Sequence, residues 1–279
     1  MIHADAGNYR NVCINDIEGI GMDHMSYLGD TLEEIGAEKA GVLREAQTVV
    51  LGPGLPHSVL ARAHELRCRA EQVGAAIELT VRGDTWSCAG RFGSFAGVPV
   101  GTLAPVNCAL GLHAALALLA QQGTPPPGVD ETRHALANAT LAGRMEAFDR
   151  DQRTYLVDVA HNPAGAEFLA AELARRGLSG GLTAIIGSLR DKDSAAVVAA
   201  LHRAVTRWIG VDTDGPRGLT AQELGERMPE HVDYRSVGDV AAALAEAHSA
   251  TAAGDVILAC GSFALVEAVR DQLVATSSS

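Results

Sequence analysis

The residues of this sequence best suited to chemistry follow short apolar runs, where the chain turns after a predicted strand. Asp158 lies inside such a run, predicted over 155–160, and His161, Asn162 and the helix-starting Pro163 come directly after that run. Desolvating a carboxylate is costly unless a cation or hydrogen bonds compensate, so we interpret Asp158 as functional. Its partner is either a structural arginine or a ligand, and a place at the strand end favours the ligand.

Three other charged residues have both a functional and a structural interpretation. Arg144 follows a glycine, where it can grip a phosphate bidentately or form a surface ion pair. His24 ends an apolar run; as a ligand its imidazole suggests zinc before magnesium, and as a plain loop residue it caps the next helix. Lys39 precedes the small-residue end of a predicted helix, where a solvent-facing lysine is ordinary.

Helix starts supply further polar groups. Asn107 opens an apolar helix predicted over 106–119, and the residues alone favour a helix cap over a ligand contact. Gly261-Ser262 follows a strand and offers backbone N–H groups to an anion. Residues 187–193 (GSLRDKD) also follow a strand and open a helix, and their charges fit a solvated loop as well. The sequence contains no Gly-x-x-x-x-Gly-Lys-Ser/Thr loop.

The second half of the chain alternates between strand-like and helical patterns. Such alternation predicts an α/β fold, a doubly wound parallel sheet with helices on both faces and ligands at the carboxyl ends of its strands. The predicted strands are 155–160, 182–187, 207–211 and Val256–Cys260, and the helices between them are 163–176, 191–205 and 239–253.

The first half is less regular. Thr31 and Glu34 have the spacing of a capping box at the start of a helix over 32–41. The other predicted elements are a strand Thr48–Leu51, a helix 58–73 and strand-like segments near 77–81, 86 and 91–95. We divide the chain into a partial central domain (1–124), a proline-rich linker with a leading helix (125–140) and a C-terminal domain (141–279).

Composition excludes several classes of protein. The 279 residues carry 22 basic and 34 acidic side chains, a net charge of −12, without a Lys/Arg cluster, which argues against nucleic-acid binding. The five cysteines are scattered, odd in number and never in a Cys-x-x-Cys pair, so neither a disulfide framework nor a structural zinc site is indicated. Without a leader-like start or a long apolar run, a soluble, cytoplasmic protein is expected.

Taken in order, these segments resemble the folylpolyglutamate synthase/dihydrofolate synthase family, relatives of the Mur peptide ligases. The resemblance implies a partial Mur-ligase-type central domain followed by a doubly wound, Rossmann-like C-terminal domain. The segments that carry it are 20–24, 28–31 and 38–41 for the central domain, and 143–144, 158–163, 187–193 and 261–262 for the C-terminal domain.

What the resemblance implies is an ATP-dependent, ADP-forming amide ligase. The carboxylate of dihydropteroate or of a folate's terminal glutamate takes the γ-phosphoryl group, and the amine of L-glutamate then attacks the acyl phosphate. Positioning and charge neutralisation dominate such phosphoryl transfer. The implied cofactors are ATP and Mg²⁺, with His24 as a magnesium ligand and Lys39 as the lysine that the family carboxylates with carbon dioxide. The expected partners are small molecules, and a monomer is expected.

For the nucleotide, the resemblance implies that Asn107, Arg144 and Asp158 hold ATP, with Arg144 on phosphate and His161 near the incoming glutamate. Together with the two residues of the metal site, these four are expected to converge on one interdomain cleft. Asp158 to Pro163 and the Asp191-Lys192-Asp193 run favour the folate branch over a cell-wall amino-acid ligase.

The family also opens with a phosphate-binding glycine loop, followed by a serine and a glutamate that bind the metal, and this sequence contains no match to them. Three interpretations therefore stay open: the C-terminal portion of a folate enzyme, a noncatalytic remnant that binds nucleotide or a partner, and a related Mur-type amino-acid ligase. A fragment, a mispredicted start and a true remnant are all consistent with the sequence. The chain alone is expected to show no ATP-dependent glutamate addition, since the phosphate cradle is missing.

Overall fold

The structure, a computed structural model, describes residues 12–13, 31–178 and 180–275. It divides into two compact units, Met1–Thr140 and Leu141–Ser279. Residues 125–140, predicted to be a linker and a leading helix, are part of the first unit. Among the described residues, no helix is long and apolar enough to cross a membrane.

The first unit contains a small parallel sheet, in the order β1-β2-β3, and a separate antiparallel sheet, in the order β4-β5-β6. Its strands are β1 Val12–Cys13, β2 Thr48–Leu51, β3 Arg69–Gln72, β4 Glu78–Arg82, β5 Thr85–Gly90 and β6 Gly93–Pro99. Its described helices are α1 Leu32–Ala40, α2 His57–Glu65, α3 Pro105–Gln121 and α4 Val129–Ala137.

The start of α1 confirms the predicted capping box. The Thr31 hydroxyl accepts the Glu34 N–H at 3.2 Å, while the Glu34 carboxylate accepts the Thr31 N–H at 3.0 Å. Two of the N–H groups that lack partners within the helix are thereby satisfied.

The helix predicted over 58–73 is wrong in its second half. Helix α2 ends at Glu65, and Arg67 has a φ of +53°, which breaks the helix. Residues Arg69–Gln72 then pair in parallel with Thr48–Leu51 as β3. A free edge of β2 offered backbone partners that outweighed the helical pattern, because local propensity is weak against tertiary pairing.

The second unit is built on one six-stranded sheet in the order β11-β10-β9-β12-β8-β7. All neighbouring pairs are parallel except β7 with β8, which forms a hairpin. Its strands are β7 Glu146–Arg150, β8 Arg153–Asp158, β9 Leu182–Ile186, β10 Val205–Val211, β11 Asp233–Gly238 and β12 Val256–Cys260; its helices are α5 Pro163–Arg175, α6 Ser194–Leu201, α7 Ala221–Gly225, α8 Val240–Ala250 and α9 Phe263–Ala275.

Both faces of this sheet are covered, as a doubly wound fold requires. Along β8, Leu156 packs into the cluster that includes Leu169 of α5, whereas Tyr155 and Val157 pack into the cluster that includes Val269 of α9. Burial on both faces explains the nearly continuous apolar runs of these strands. The predicted α/β, doubly wound architecture of this half is confirmed.

Several boundaries differ from the prediction for local reasons. The strand predicted over 155–160 ends at Asp158, because Ala160 has a φ of +24°. The helix predicted over 191–205 is only Ser194–Leu201, since the Asp193 carboxylate caps it by accepting the Ala196 N–H at 2.9 Å. In the second unit the sequence patterns missed three short elements, β7, β11 and α7.

Candidate functional site

Asp158 lies at the carboxyl end of β8, and its carboxylate is held by backbone groups. Its side chain accepts the N–H of Met145 at 2.9 Å through Oδ2 and the N–H of Ala160 at 3.0 Å through Oδ1. Both donors belong to non-glycine residues with positive φ, +44° and +24°. Such backbone is sterically costly and persists only where the surroundings fix it. Asp158 therefore braces the two turns that carry Arg144 and His161.

The electrostatic setting of Asp158 agrees with the expected need for compensation. Burial raises the pKa of its carboxyl, while the Met145 N–H, the Arg144 guanidinium and the Ala160 N–H each act to lower it. The residue is 6% exposed. Two backbone donors and a nearby cation, rather than an ion pair with a structural arginine, therefore compensate this buried carboxylate.

Arg144 follows a turn that only glycine fits. Gly143 has a φ of +69°, and a Cβ there would lie 2.7 Å from Val266 Cγ1 of α9. Among the described residues, the Arg144 guanidinium forms no ion pair; it donates to the Gly143 carbonyl at 3.2 Å. A half-buried cation that lies near Asp158 but forms no ion-pair contact among the described residues fits an anion such as phosphate better than it fits a surface ion pair.

Glu146 fixes the turn at Gly143 that precedes Arg144. Its carboxylate accepts the Gly143 N–H at 2.7 Å and is paired with Arg270 of α9, whose Nε lies 2.6 Å from Oε2. Burial is the largest single influence and raises the pKa of Glu146, but the Arg270 and Gly143 hydrogen bonds and the Arg270 charge together lower it below 4.5. The turn before Arg144 is thus tied to α9 by a charge-assisted contact.

Replacing Glu146 by glutamine is expected to destabilise the protein most above pH 4.5. A carboxyl whose pKa is lowered by folding adds stability above its unfolded pKa, and loses that stability as pH falls through its folded pKa. The difference in unfolding free energy between wild type and Glu146→Gln should therefore shrink steadily below pH 4.5. Urea unfolding across that range measures it, with the exposed Glu267→Gln of α9 as the control. A difference that is independent of pH would contradict the assignment.

Phe263, which the sequence analysis did not single out, lies between two of the predicted residues. The Cζ atom of Arg144 is 5.4 Å from the Phe263 ring centroid, and the His161 ring centroid is 5.5 Å from it at an interplanar angle of 44°. Phe263 is 44% exposed and is the first residue of α9. Its place immediately after Gly261-Ser262 was the available signal.

Gly261 and Ser262 determine where α9 begins. Gly261 has a φ of +108°, and a Cβ there would lie 2.7 Å from the Gly187 carbonyl oxygen. The Ser262 hydroxyl accepts the Leu265 N–H at 3.2 Å and caps the helix. Asn162 caps α5 in the same way, through the Gly165 N–H at 2.8 Å. Two helices therefore start at this edge of the sheet.

The charged loop over 187–193 has a structural use beyond solvation. Arg190 contacts Glu223 of α7 at 2.9 Å, and Asp191 lies 3.6 Å from Arg217. Lys192 is buried, only 6% exposed. These contacts tie the loop to the segment that follows β10. Arg190, Asp191 and Asp193 are exposed, as a solvated loop requires, whereas Lys192 is not.

Of the remaining predicted residues, Lys39 and Asn107 are described, and both belong to the first unit. Lys39 is half-buried in the last turn of α1. Asn107 is the third residue of α3, whose N-cap is Ala104 without a side-chain hydrogen bond, so the interpretation of Asn107 as a cap is wrong. His24 falls outside the described residues. The structure brings Arg144, Asp158 and His161 together, and the convergence of all six residues stays a prediction.

A divalent metal is not accommodated by the part of the chain that the structure describes. There, no three His, Cys, Asp or Glu side chains form a group able to hold an ion. The buried Cys260 is also a poor metal ligand, because burial, reinforced by the charge of Asp158, raises the pKa of its thiol and keeps it protonated.

Comparisons with known proteins identify relatives over most of the chain. The sequence profile of the Mur ligase, glutamate ligase domain matches residues 143–263. The dihydrofolate synthase/folylpolyglutamate synthase of Escherichia coli K12 is 32% identical over 276 residues, which is 98% of this chain and 63% of that protein. E. coli FolC in complex with DHPP and ADP superposes with a TM-score of 0.82 at 30% identity, over 93% of this chain and 61% of FolC.

A second solved structure, the bifunctional enzyme of Yersinia pestis complexed with AMPPNP and a manganese ion, gives a TM-score of 0.77 at 33% identity. The match covers 91% of this chain and 60% of that one. With its doubly wound sheet and strand-end site, the chain carries the C-terminal domain of a Mur ligase. Over nearly its whole length the chain is similar to the dihydrofolate synthase/folylpolyglutamate synthases. It spans about 60% of the length of these relatives.

Proposed function

We propose that this chain is the nucleotide- and glutamate-binding portion of an ADP-forming amide ligase that adds L-glutamate to dihydropteroate or folate through an acyl phosphate. ATP and Mg²⁺ are the proposed cofactors. The proposal is supported by relatives with these named activities and by a relative's complex with DHPP and ADP. We also propose that the protein is monomeric and cytoplasmic and that its partners are small molecules.

One observation carries the proposal: Arg144, Asp158 and His161 lie together at one strand end, with the Arg144 guanidinium free of ion pairs among the described residues. In a phosphoryl transfer, such a guanidinium neutralises charge on the phosphate oxygens. Asp158 keeps one further lone pair on each carboxylate oxygen and holds the Arg144 turn. We place His161 on the glutamate side of the site, and Asn107 of α3 on the nucleotide.

The two residues of the metal site are proposed on the resemblance alone. Lys39 would carry a carbamate, which turns an ammonium into an anion able to serve a metal ion. His24 would bind magnesium directly. When bound, the metal would supply charge neutralisation for the β- and γ-phosphates.

Replacing Arg144 by alanine is expected to weaken ADP binding by the 279-residue chain about tenfold or more. A hydrogen bond to a charged group contributes about 1.5–3 kcal/mol, and each 1.4 kcal/mol is about tenfold in Kd. Titration of the chain with ADP by calorimetry measures the effect. Arg207→Ala is the matched control, since it removes the same charge from an exposed position paired with Asp233.

The outcomes separate the open interpretations. ADP binding that is insensitive to Arg144→Ala, or absent from the wild-type chain, would contradict the proposal. Binding without glutamate-dependent ADP release in the presence of ATP, Mg²⁺ and folate substrate is the result expected of the chain alone. Release that depends on another amino acid in place of glutamate would favour the amino-acid ligase interpretation.

A further inference from the structure

We propose that Phe263 is a positioning residue: its exposed ring holds the Arg144 guanidinium and the His161 imidazole in place for the ligand. The inference rests on the proposed function, because it gives these two side chains their phosphate and glutamate roles. It adds a residue to which neither the motifs nor the comparisons assign a task.

Exposure alone does not mark Phe263, since single exposed apolar residues are normal on protein surfaces. Phe263 is distinguished by its two neighbours, Arg144 and His161. The ring lies within 5.4 Å of the Arg144 guanidinium carbon and within 5.5 Å of the His161 ring centroid. A guanidinium within about 6 Å of an aromatic centroid is attracted by the ring quadrupole. One side chain therefore lies against both Arg144 and His161.

The position of the ring is fixed by the helix that carries it. Behind Phe263, helix α9 is anchored by the buried side chains of Leu265, Val266 and Val269. Val266 Cγ1 is also the atom against which Gly143 packs, so α9 sets the place of the turn before Arg144. The ring and the arginine backbone are thus located by the same element, and their relative position follows from it.

Such a contact favours binding by pre-organisation. A long arginine side chain loses rotamer freedom when it binds a ligand, and part of that loss is avoided if the side chain is already held. Cation–π contacts at exposed sites correspond to about 0.5–1 kcal/mol, which is about two- to fivefold in a dissociation constant. The effect should appear only for ligands that Arg144 contacts.

The test compares Phe263→Leu with Phe263→Tyr in the 279-residue chain, using ADP and adenosine as probes. Phe263→Leu removes the ring but keeps apolar bulk, and should weaken ADP binding two- to fivefold while leaving adenosine binding unchanged. Phe263→Tyr keeps the ring and should restore ADP binding. Thermal unfolding midpoints verify folding, and Val274→Ala, which shortens an exposed side chain at the far end of α9, is the control.

A double-mutant cycle on ADP binding distinguishes a positioning role of Phe263 from a merely structural one. If Phe263 acts through Arg144, the loss caused by Phe263→Leu should vanish in an Arg144→Ala background. For the second contact, the His161 ring resonances should shift in Phe263→Leu and return towards wild type in Phe263→Tyr.

Three results would overturn the inference. Equal weakening of ADP and adenosine would mean that Phe263 contacts the base itself, and unchanged ADP binding in Phe263→Leu would mean that the ring positions nothing. Both leave the proposed function standing, provided that Arg144→Ala still weakens ADP binding. A wild-type chain that binds no ADP would overturn the inference together with the proposed function.

Discussion

Replacing Asp158 by alanine is expected to lower the unfolding free energy of the second unit by roughly 2–6 kcal/mol, because two buried N–H groups lose their acceptor at about 1–3 kcal/mol each. The donors, Met145 and Ala160, have positive φ and depend on that carboxylate to stay in place. ADP binding should be lost as well, since the turns that carry Arg144 and His161 are released.

Urea unfolding can follow the second unit separately. The chain has two tryptophans, Trp86 in the first unit and Trp208 in the core of the second, so a Trp86→Phe background reports on the second alone. Asp239→Ala is the control, as it removes an exposed helix cap worth about 1 kcal/mol. A loss for Asp158→Ala no larger than for this control would show that Asp158 does not brace the turns.

Replacing Gly261 by alanine should cost about 3 kcal/mol or more and also abolish ADP binding. A positive φ of +108° is strained for any L side chain, by roughly 1–3 kcal/mol. In addition, the new Cβ would approach the Gly187 carbonyl oxygen to 2.7 Å, and that atom is backbone and cannot rotate away. The start of α9 must shift, and Phe263 with it.

Gly254→Ala is the matched control for this second change. Gly254 has a similarly unfavourable φ of +90°, but it is exposed, and no atom lies within 4 Å of the position that a Cβ would take there. The control therefore bears the backbone strain without the collision, at roughly 1–3 kcal/mol. Equal unfolding free energies for the two variants would rule out a steric requirement at Gly261.

The sequence was informative wherever a local pattern and the tertiary fold make the same demand. The capping box at Thr31 depends only on residues three apart, and the structure contains it. A carboxylate within an apolar strand has to be compensated in any fold, which is why the sequence indicated a role for Asp158 before its partners were known. The strands of the second half were recognised because burial on both faces leaves long apolar runs.

The structural predictions were wrong where a segment distant in sequence determined the local conformation. The sequence pattern predicted a helix over residues 69–72, but in the structure these residues pair with the edge of strand β2 and form a strand. Asn107 was predicted to cap its helix, but the helix begins two residues earlier, at Pro105. No local pattern could indicate that α9 comes to lie beside the Gly143 turn, so Phe263 was missed.

The sequence by itself determined the alternation of strands and helices, the types of the site residues and the resemblance to a ligase family, because each is written in neighbouring residues and their spacing. The tertiary structure alone decided that Arg144, Asp158 and His161 meet at one strand end, and that Phe263 joins them. The contacts of Phe263 connect it to positions more than a hundred residues away, Arg144 and His161. Only the packing of α9 against the sheet brings such positions together.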